Sequence, residues 1–178
     1  MLSAFSRAFR TPDLRRKLLF TLAMIGVYRL GSVIPGPGVS YVAIQTCLDQ
    51  VKDNSLYGLV NLFSGGALLQ LSVFALGIMP YITSSIIIQL LIVVIPRLET
   101  LKEEGQSGQA KLTQYTRYLT VALAAAQSAG YAYLFDRQGA LHTNAGRLVL
   151  IVVTLTAGTT LLMWMGELIT KRGIGNGI

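Results

Sequence analysis

The residues that could do chemistry in this sequence are few, and they form none of the sets that common catalytic mechanisms require. One histidine, one cysteine and eight acidic residues are present, without a G-x-x-x-x-G-K-[ST] loop, an H-E-x-x-H motif or a Ser/His/Asp set. His142 has no second ligand near it and is predicted to be a surface residue, and Cys47 has no partner for an internal disulfide. The sequence therefore predicts no catalytic residue, no metal site and no cofactor.

Polar side chains inside otherwise apolar stretches are more informative. Four of them follow Pro80, namely Thr83, Ser84, Ser85 and Gln89. Hydroxyl groups close to a proline can bond the backbone carbonyls that the proline leaves free. Gln127 lies in a later apolar stretch, where its amide needs a partner on a neighbouring helix or in water.

The elements that position these residues are predicted to be transmembrane helices. Hydrophobic residues make up 52% of the sequence and charged residues 13%, against about 25% charged residues in soluble domains. Segments 18–34, 71–95, 118–135 and 148–169 are long and apolar enough to be read as spans, whereas 57–70 is too short and too rich in glycine. The predicted fold class is all-α, a polytopic transmembrane helix bundle.

The stretch 61–91 is interrupted where a plain membrane helix would continue. Gly65 and Gly66 break its start, and Gly77 and Pro80 lie within one helical turn of each other in its middle. Irregular backbone at membrane depth is tolerated only where protein buries it or water lines it. The pattern predicts a re-entrant piece at 57–70 followed by a full span, both arranged around a cavity.

Basic residues give the predicted orientation. Eleven Lys and Arg fall on one side of the four spans and three on the other, so both ends of the chain and the loop 96–117 are predicted to be cytoplasmic. The residues assigned to topology and cytoplasmic docking are Arg15, Arg16, Lys17, Lys102, Lys111, Arg117, Lys171 and Arg172. Residues 1–17 form either an amphipathic helix in the headgroup region or a frayed tail, and 170–178 form a cytoplasmic loop.

The sequence predicts a pairing or a packing role for four residues within the predicted spans. Arg29 lies near the outer end of its span, where it either extends to the interface or pairs across the bundle. Glu167 is predicted to pair with Lys171, four residues further on. Gly130 and Gly158 are predicted to let helices approach closely.

Four stretches, in order along the chain, resemble the SecY family of channel subunits of the bacterial protein translocase: YRLGSVIPGPGV, NLFSGGALLQLSVFALGIMPYITSSIIIQLL, KEEGQSGQAKLTQYTRY and MWMGELITKRGIGNGI. Family members have ten spans in two halves of five. The resemblance therefore implies a SecY-type partial chain that contains four spans and lacks the later ones.

The resemblance also assigns roles to residues. It implies a plug helix within 57–70 that comprises Asn61, Phe63, Ser64, Gly65, Gly66, Leu68 and Leu69. It places Ile78 and Ile82 in an apolar pore constriction, and their spacing of four puts them on one helical face, although ordinary packing explains that spacing equally. It assigns Thr83, Ile86 and Gln127 to a lateral gate through which signal sequences meet lipid.

The function implied is a passive pore and not an enzyme, driven by the SecA motor or the ribosome in the bacterial plasma (inner) membrane. SecE, SecG, signal sequences, nascent secretory chains and membrane lipids are the implied partners, with indirect contact to ribosomal RNA. A secondary transporter half shares the broken helices and polar residues, and a membrane-embedded enzyme is a third alternative. Ile78, Met79 and Ile82 stand where a transporter would place ligand-binding groups, which favours a channel.

Overall fold

The computed structural model describes residues 11–37, 72–137, 144–175 and 177. These residues form five helices, α1 (Pro12–Val33), α2 (Met79–Val94), α3 (Pro96–Glu103), α4 (Gln106–Arg137) and α5 (Ala145–Arg172). Within those ranges no strand is present, and one isolated bridge joins Pro35 to Ser72. The all-α fold expected from composition is confirmed.

Among the described helices, three begin at or beside a proline. Pro12 and Pro96 are the first residues of α1 and α3, and Pro80 is the second residue of α2. Proline is tolerated there because the first N–H groups of a helix have no intrahelical acceptor. The break expected around Pro80 is therefore the start of a helix and not a kink within one.

Residues 72–78, called the turn segment below, precede α2 as a series of turns. The N–H of Ala75 donates to the Ser72 carbonyl at 3.0 Å, and the N–H of Gly77 donates to the Phe74 carbonyl at 2.9 Å. Gly77 adopts a left-handed conformation with φ of 59°, which an α-helix does not accommodate. Of the stretch 71–95, expected as one span, the described residues 72–95 are consequently helical only from Met79 to Val94.

The turn segment lies within the bundle, against α1, α4 and α5. Phe74 stacks on Tyr28 of α1 with ring centroids 5.9 Å apart. Ala75 and Leu76 belong to a buried cluster with Ala132 of α4 and Leu155 of α5. Burial by three helices satisfies the condition under which irregular backbone persists at membrane depth.

Glycine at one helix contact makes this packing possible. At Gly158 of α5, an added Cβ would clash with the backbone carbonyl of Val73 in the turn segment. The close approach expected at Gly158 is therefore confirmed. Among the described residues the same expectation for Gly130 is wrong, because none of them places a heavy atom within 4 Å of where its Cβ would stand.

Helices α4 and α5 pack against each other along a seam of hydroxyl side chains. Thr120, Ser128 and Thr159 are buried in it, and the Thr120 and Thr159 hydroxyls donate to backbone carbonyls four residues earlier in their own helices. Ser128 of α4 and Thr156 of α5 are hydrogen-bonded across the seam at 3.2 Å. Small hydroxyl residues allow close helix packing without leaving a polar group unpaired in an apolar medium.

Length and composition qualify one described helix, Gly146–Arg172, to cross a membrane by itself. The pair α2 and α3 also qualifies if taken together, although its two parts are bent by 101°. Helix α1 carries basic residues in its first turns, and α4 begins with polar turns within the loop expected at 96–117. The fourth expected span thus corresponds to a helix that meets the length and hydropathy criteria by itself, while the boundaries of the other spans stay predictions.

Candidate functional site

Ile78 stands at the junction of the turn segment and α2. Its carbonyl accepts hydrogen bonds from the N–H groups of Tyr81 at 3.0 Å and Ile82 at 3.1 Å, so its backbone caps the first turn of the helix. Its half-buried side chain lines an apolar cavity of about 290 Å³ together with Met24 of α1 and Leu162 of α5. An apolar wall between three elements is what an apolar constriction requires.

Ile82 lies on a different side of α2 from the face that packs on α4. Tyr81, Ser84 and Ile88 are the buried residues of the packed face. Ile82 is half-buried, about 100° around the helix from Tyr81. It is not among the residues that line the cavity beside Ile78. One more turn along, Ile86 is 52% exposed.

The expected lateral-gate residues are not linked to one another by hydrogen bonds. The Thr83 hydroxyl donates to the Met79 carbonyl within α2 at 3.0 Å. Gln127 is half-buried on α4, and in the described part of the chain no hydrogen bond joins it to Thr83. The polar contact between helices near that level comes from Ser128, the residue next to it.

An ion pair between α4 and α5 is the strongest polar contact near the site. The Arg117 Nε donates to Glu167 Oε1 at 2.7 Å, and its Nη2 bonds the other carboxylate oxygen, which makes the contact bidentate. The remaining nitrogen, Nη1, donates to Gln114 Oε1 at 3.2 Å. The side chains are 36% exposed for Arg117 and 11% for Glu167. The hydrogen bond that Arg117 donates to Glu167 raises the pKa of Arg117.

The pairing of Glu167 with Lys171 expected from their spacing is therefore wrong. A partner on another helix holds Glu167, because a fork of donors from Arg117 fits a carboxylate better than a flexible lysine does. The antiparallel packing of α4 on α5 explains why Arg117 is the partner of Glu167. Arg117 lies eleven residues before Ser128, and Glu167 lies eleven residues after Thr156, so the ion pair and the Ser128–Thr156 bond share one helix register.

Sequence alone contained one indication of this contact. An acidic residue close to the end of an apolar span needs a partner, and Arg117 was placed at the same membrane side one span earlier. The sequence profile of the SecY family matches residues 72–178, which include the whole of this arrangement.

The chain belongs to the SecY family.

Its relatives extend the match to the N-terminal residues. The translocase subunit SecY of Streptomyces scabiei is 63% identical over 191 residues, which cover 100% of this chain and 44% of that protein. The SecY subunits of Corynebacterium glutamicum and Mycobacterium tuberculosis are 58% and 53% identical, with 99% and 100% of this chain covered. The chain spans a little under half the length of the relatives it matches.

Solved channel structures share its fold. Sec61 in the canine ribosome–channel complex from the endoplasmic reticulum superimposes with a TM-score of 0.60, and a further protein-conducting channel with 0.58. Each comparison covers 92% of this chain and 34% of the other, at 19% identity. The partial SecY-type helix bundle expected from the sequence is confirmed.

Some of the other residues predicted to serve SecY function lie outside the described part of the chain, and most of the rest are exposed. The plug residues between 57 and 70, and residues 1–10, lie outside the described residues, so their placement stays a prediction. The residues assigned to topology and docking are exposed apart from Arg117, and two of them form surface ion pairs, Lys17 with Asp13 at 3.8 Å and Lys111 with Glu104 at 3.6 Å. Arg29 is exposed, and both alternatives stated for it stay open.

Proposed function

We propose that this chain is the N-terminal part of the central subunit of a protein-conducting channel, which translocates secretory proteins across the bacterial plasma membrane and inserts membrane proteins into it. The observation that carries the proposal is the identity with SecY subunits, 63% over the entire chain in one of them. The matched region includes the turn segment and the start of α2, where a pore wall is proposed.

In this proposal Ile78 and Ile82 contribute one side of a narrow apolar neck. Water leaves a narrow apolar constriction, so ions are excluded, while branched side chains yield to an extended polypeptide without binding it. The cavity beside Ile78 is lined mainly by aliphatic and Met side chains, which supports this role. The subunit itself catalyses no reaction, and a partner supplies the work of translocation.

A lateral gate formed in part by α2 and α4 completes the proposal. Thr83, Ile86 and Gln127 face the signal sequence as it moves from the pore to the lipid. Interhelical polar contacts in membranes contribute about 0.6–2 kcal/mol, which a signal helix can displace on insertion. The exposure of Ile86 supports a place on a surface open to a partner helix, and the plug within 57–70 closes the pore from outside.

The proposed partners follow the same reasoning. SecE and SecG accompany the subunit in the membrane, whose lipids surround it. SecA or the ribosome docks on the cytoplasmic side, with indirect contact to ribosomal RNA through exposed basic residues such as Lys102 and Arg172. The solved structure of Sec61 is named as part of a ribosome–channel complex, which supports docking of this kind.

A crosslinking experiment tests the channel function. A photoreactive residue at position 78 or 82 of the full-length subunit, in its complex with a stalled secretory precursor, should crosslink to the precursor. The same residue at Val149, which is exposed on α5, should not. A secondary transporter does not enclose a passing polypeptide, so absence of crosslinks at both 78 and 82 would favour that alternative and contradict the proposal.

Cysteine labelling tests the proposed orientation. In intact cells, a membrane-impermeant maleimide should label native Cys47, which is predicted to be outside. It should not reach a cysteine at position 10 in an Arg10→Cys variant that also carries Cys47→Ala, because Arg15, Arg16 and Lys17 hold the N-terminus in the cytoplasm. Labelling at position 10 would overturn the orientation, and protection of Cys47 would move its loop to the inside.

A further inference from the structure

The Arg117–Glu167 ion pair shares a cavity with Tyr81, one of the three residues between Ile78 and Ile82. This cavity has a volume of about 610 Å³, and Tyr81 of α2 lines it together with Arg117 of α4 and Glu167 of α5. Tyr81 is only 8% exposed. Residues of three helices, α2, α4 and α5, therefore line one cavity that contains the ion pair.

Tyr81 belongs to the same helical turn as Ile78 and Ile82. Its N–H donates to the Ile78 carbonyl, and so does the N–H of Ile82. A rotation that withdraws the Tyr81 ring from the polar cavity would therefore turn both isoleucines with it. The three side chains therefore change orientation together when this turn rotates.

The backbone before that turn gives it little rotational support. Gly77 is left-handed, and residues 72–78 form turns instead of a helix. The first turn of α2 thus has no preceding helical turn to fix its rotation. Side-chain packing has to fix it, and the buried Tyr81 ring is the anchor on the side facing α4 and α5.

We propose that Arg117 and Glu167 are positioning residues for the proposed constriction. Their bidentate pair joins α4 to α5 beside the cavity that Tyr81 also lines, and by holding these two helices together it keeps the Tyr81 side of α2 in place, so Ile78 and Ile82 keep the orientation of the closed pore. This inference rests on the proposed channel function and assigns to it two residues that do not line the neck. The pair is suited to this task because the Arg117 guanidinium is fixed at all three nitrogens, two on Glu167 and one on Gln114.

The test uses the full-length subunit in its complete complex, reconstituted into liposomes. Arg117→Gln or Glu167→Gln removes one charge and leaves the other half-buried, so the contact between α4 and α5 beside the cavity is expected to loosen. Resting ion leak should rise roughly five- to tenfold, the lower part of the range typical of coupling between sites. Export of precursors with weakened signal sequences should rise as well, because a less well-held neck opens more easily.

Two further variants separate positioning from general damage. The exchange Arg117→Glu with Glu167→Arg rebuilds the pair in reverse and should return the leak most of the way to the wild-type value. Glu104→Gln breaks the exposed Lys111–Glu104 pair on the same cytoplasmic side and should leave the leak unchanged. A surface pair of this kind contributes little to the conformation.

The inference fails if assembled complexes with Arg117→Gln leak no more than the wild type, or if the reversed pair leaks as much as the single variants. Should a charge variant assemble too poorly to measure, Tyr81→Ala removes the anchor without removing a charge and must raise the leak if the inference holds. Failure of the channel proposal would look different. Precursors would then not crosslink at positions 78 and 82, whatever the leak of the Arg117 variants.

Discussion

Full-length channels that carry asparagine at both Ile78 and Ile82 should conduct ions at rest at least ten times more than the wild type. Asparagine is similar in size to isoleucine but offers hydrogen-bond partners to water, so the neck should wet. Full burial of an isoleucine side chain contributes about 1.5–3 kcal/mol, and about 1.4 kcal/mol corresponds to a tenfold change in an equilibrium constant. Loss of part of that contribution at each of two half-buried isoleucines is therefore enough for a tenfold effect. Ion flux across planar bilayers that contain the purified complex measures the change.

The same double variant should also export precursors with weakened signal sequences. Opening requires less work when the closed neck is less favourable, so a weak signal suffices. The matched control is Ile87→Asn, since Ile87 is also half-buried in α2 but lies about 140° around the helix from Ile82. Equal leak in the control and the double variant would indicate general damage to the bundle and would contradict the constriction proposed at Ile78 and Ile82.

Local chemistry explains which parts of the fold could be predicted. The start of α1 at Pro12 and the break before α2 follow from single residues whose backbone preferences hold in any context. The all-α class follows from a composition that few soluble proteins have. The four-residue spacing of Ile78 and Ile82 places them on one face of a regular helix, but Ile78 lies just before α2, so only Ile82 belongs to the helix proper.

Other features depend on how helices align, which one sequence does not contain. Spacing suggested that Glu167 pairs with Lys171, whereas the contact with Arg117 depends on the register of α4 against α5. The same limit explains Gly130, which resembles Gly158 in sequence context but has none of the described residues packed against it. Polar turns between 106 and 117 looked like a loop because their contacts with α2 and α5 cannot be read from hydropathy.

The extent of α2 shows a further limit. The stretch 71–95 contains no charged residue and is mostly apolar on both sides of Pro80, so hydropathy alone cannot locate the end of the turn segment. The left-handed Gly77 and the buried contacts of Phe74 decide where helix begins. Thr83 and Gln127 illustrate the same point for the gate, because polarity predicts a need for partners and only the packing determines which partners are found.

Alanine at Gly158 and alanine at Gly130 should change stability in opposite directions. Both glycines lie in helices, where alanine is favoured over glycine by about 1 kcal/mol. At Gly130 no described residue opposes that gain, so the variant complex should be slightly more stable. At Gly158 the new methyl group would collide with the Val73 carbonyl of the turn segment, and the net loss should be about 1–3 kcal/mol, typical of overpacking.

Thermal unfolding of the detergent-solubilised full-length complex, followed by loss of the intact peak in size-exclusion chromatography, measures both effects. Gly158→Ala should lower the midpoint and Gly130→Ala should not. The collision involves backbone, and the turn segment leads directly into Ile78, so Gly158→Ala is also expected to increase resting leak as the segment is displaced. A midpoint unchanged by Gly158→Ala would mean that α5 and the turn segment are not in close contact, and the packing that places Ile78 beside its apolar cavity would then be incorrect.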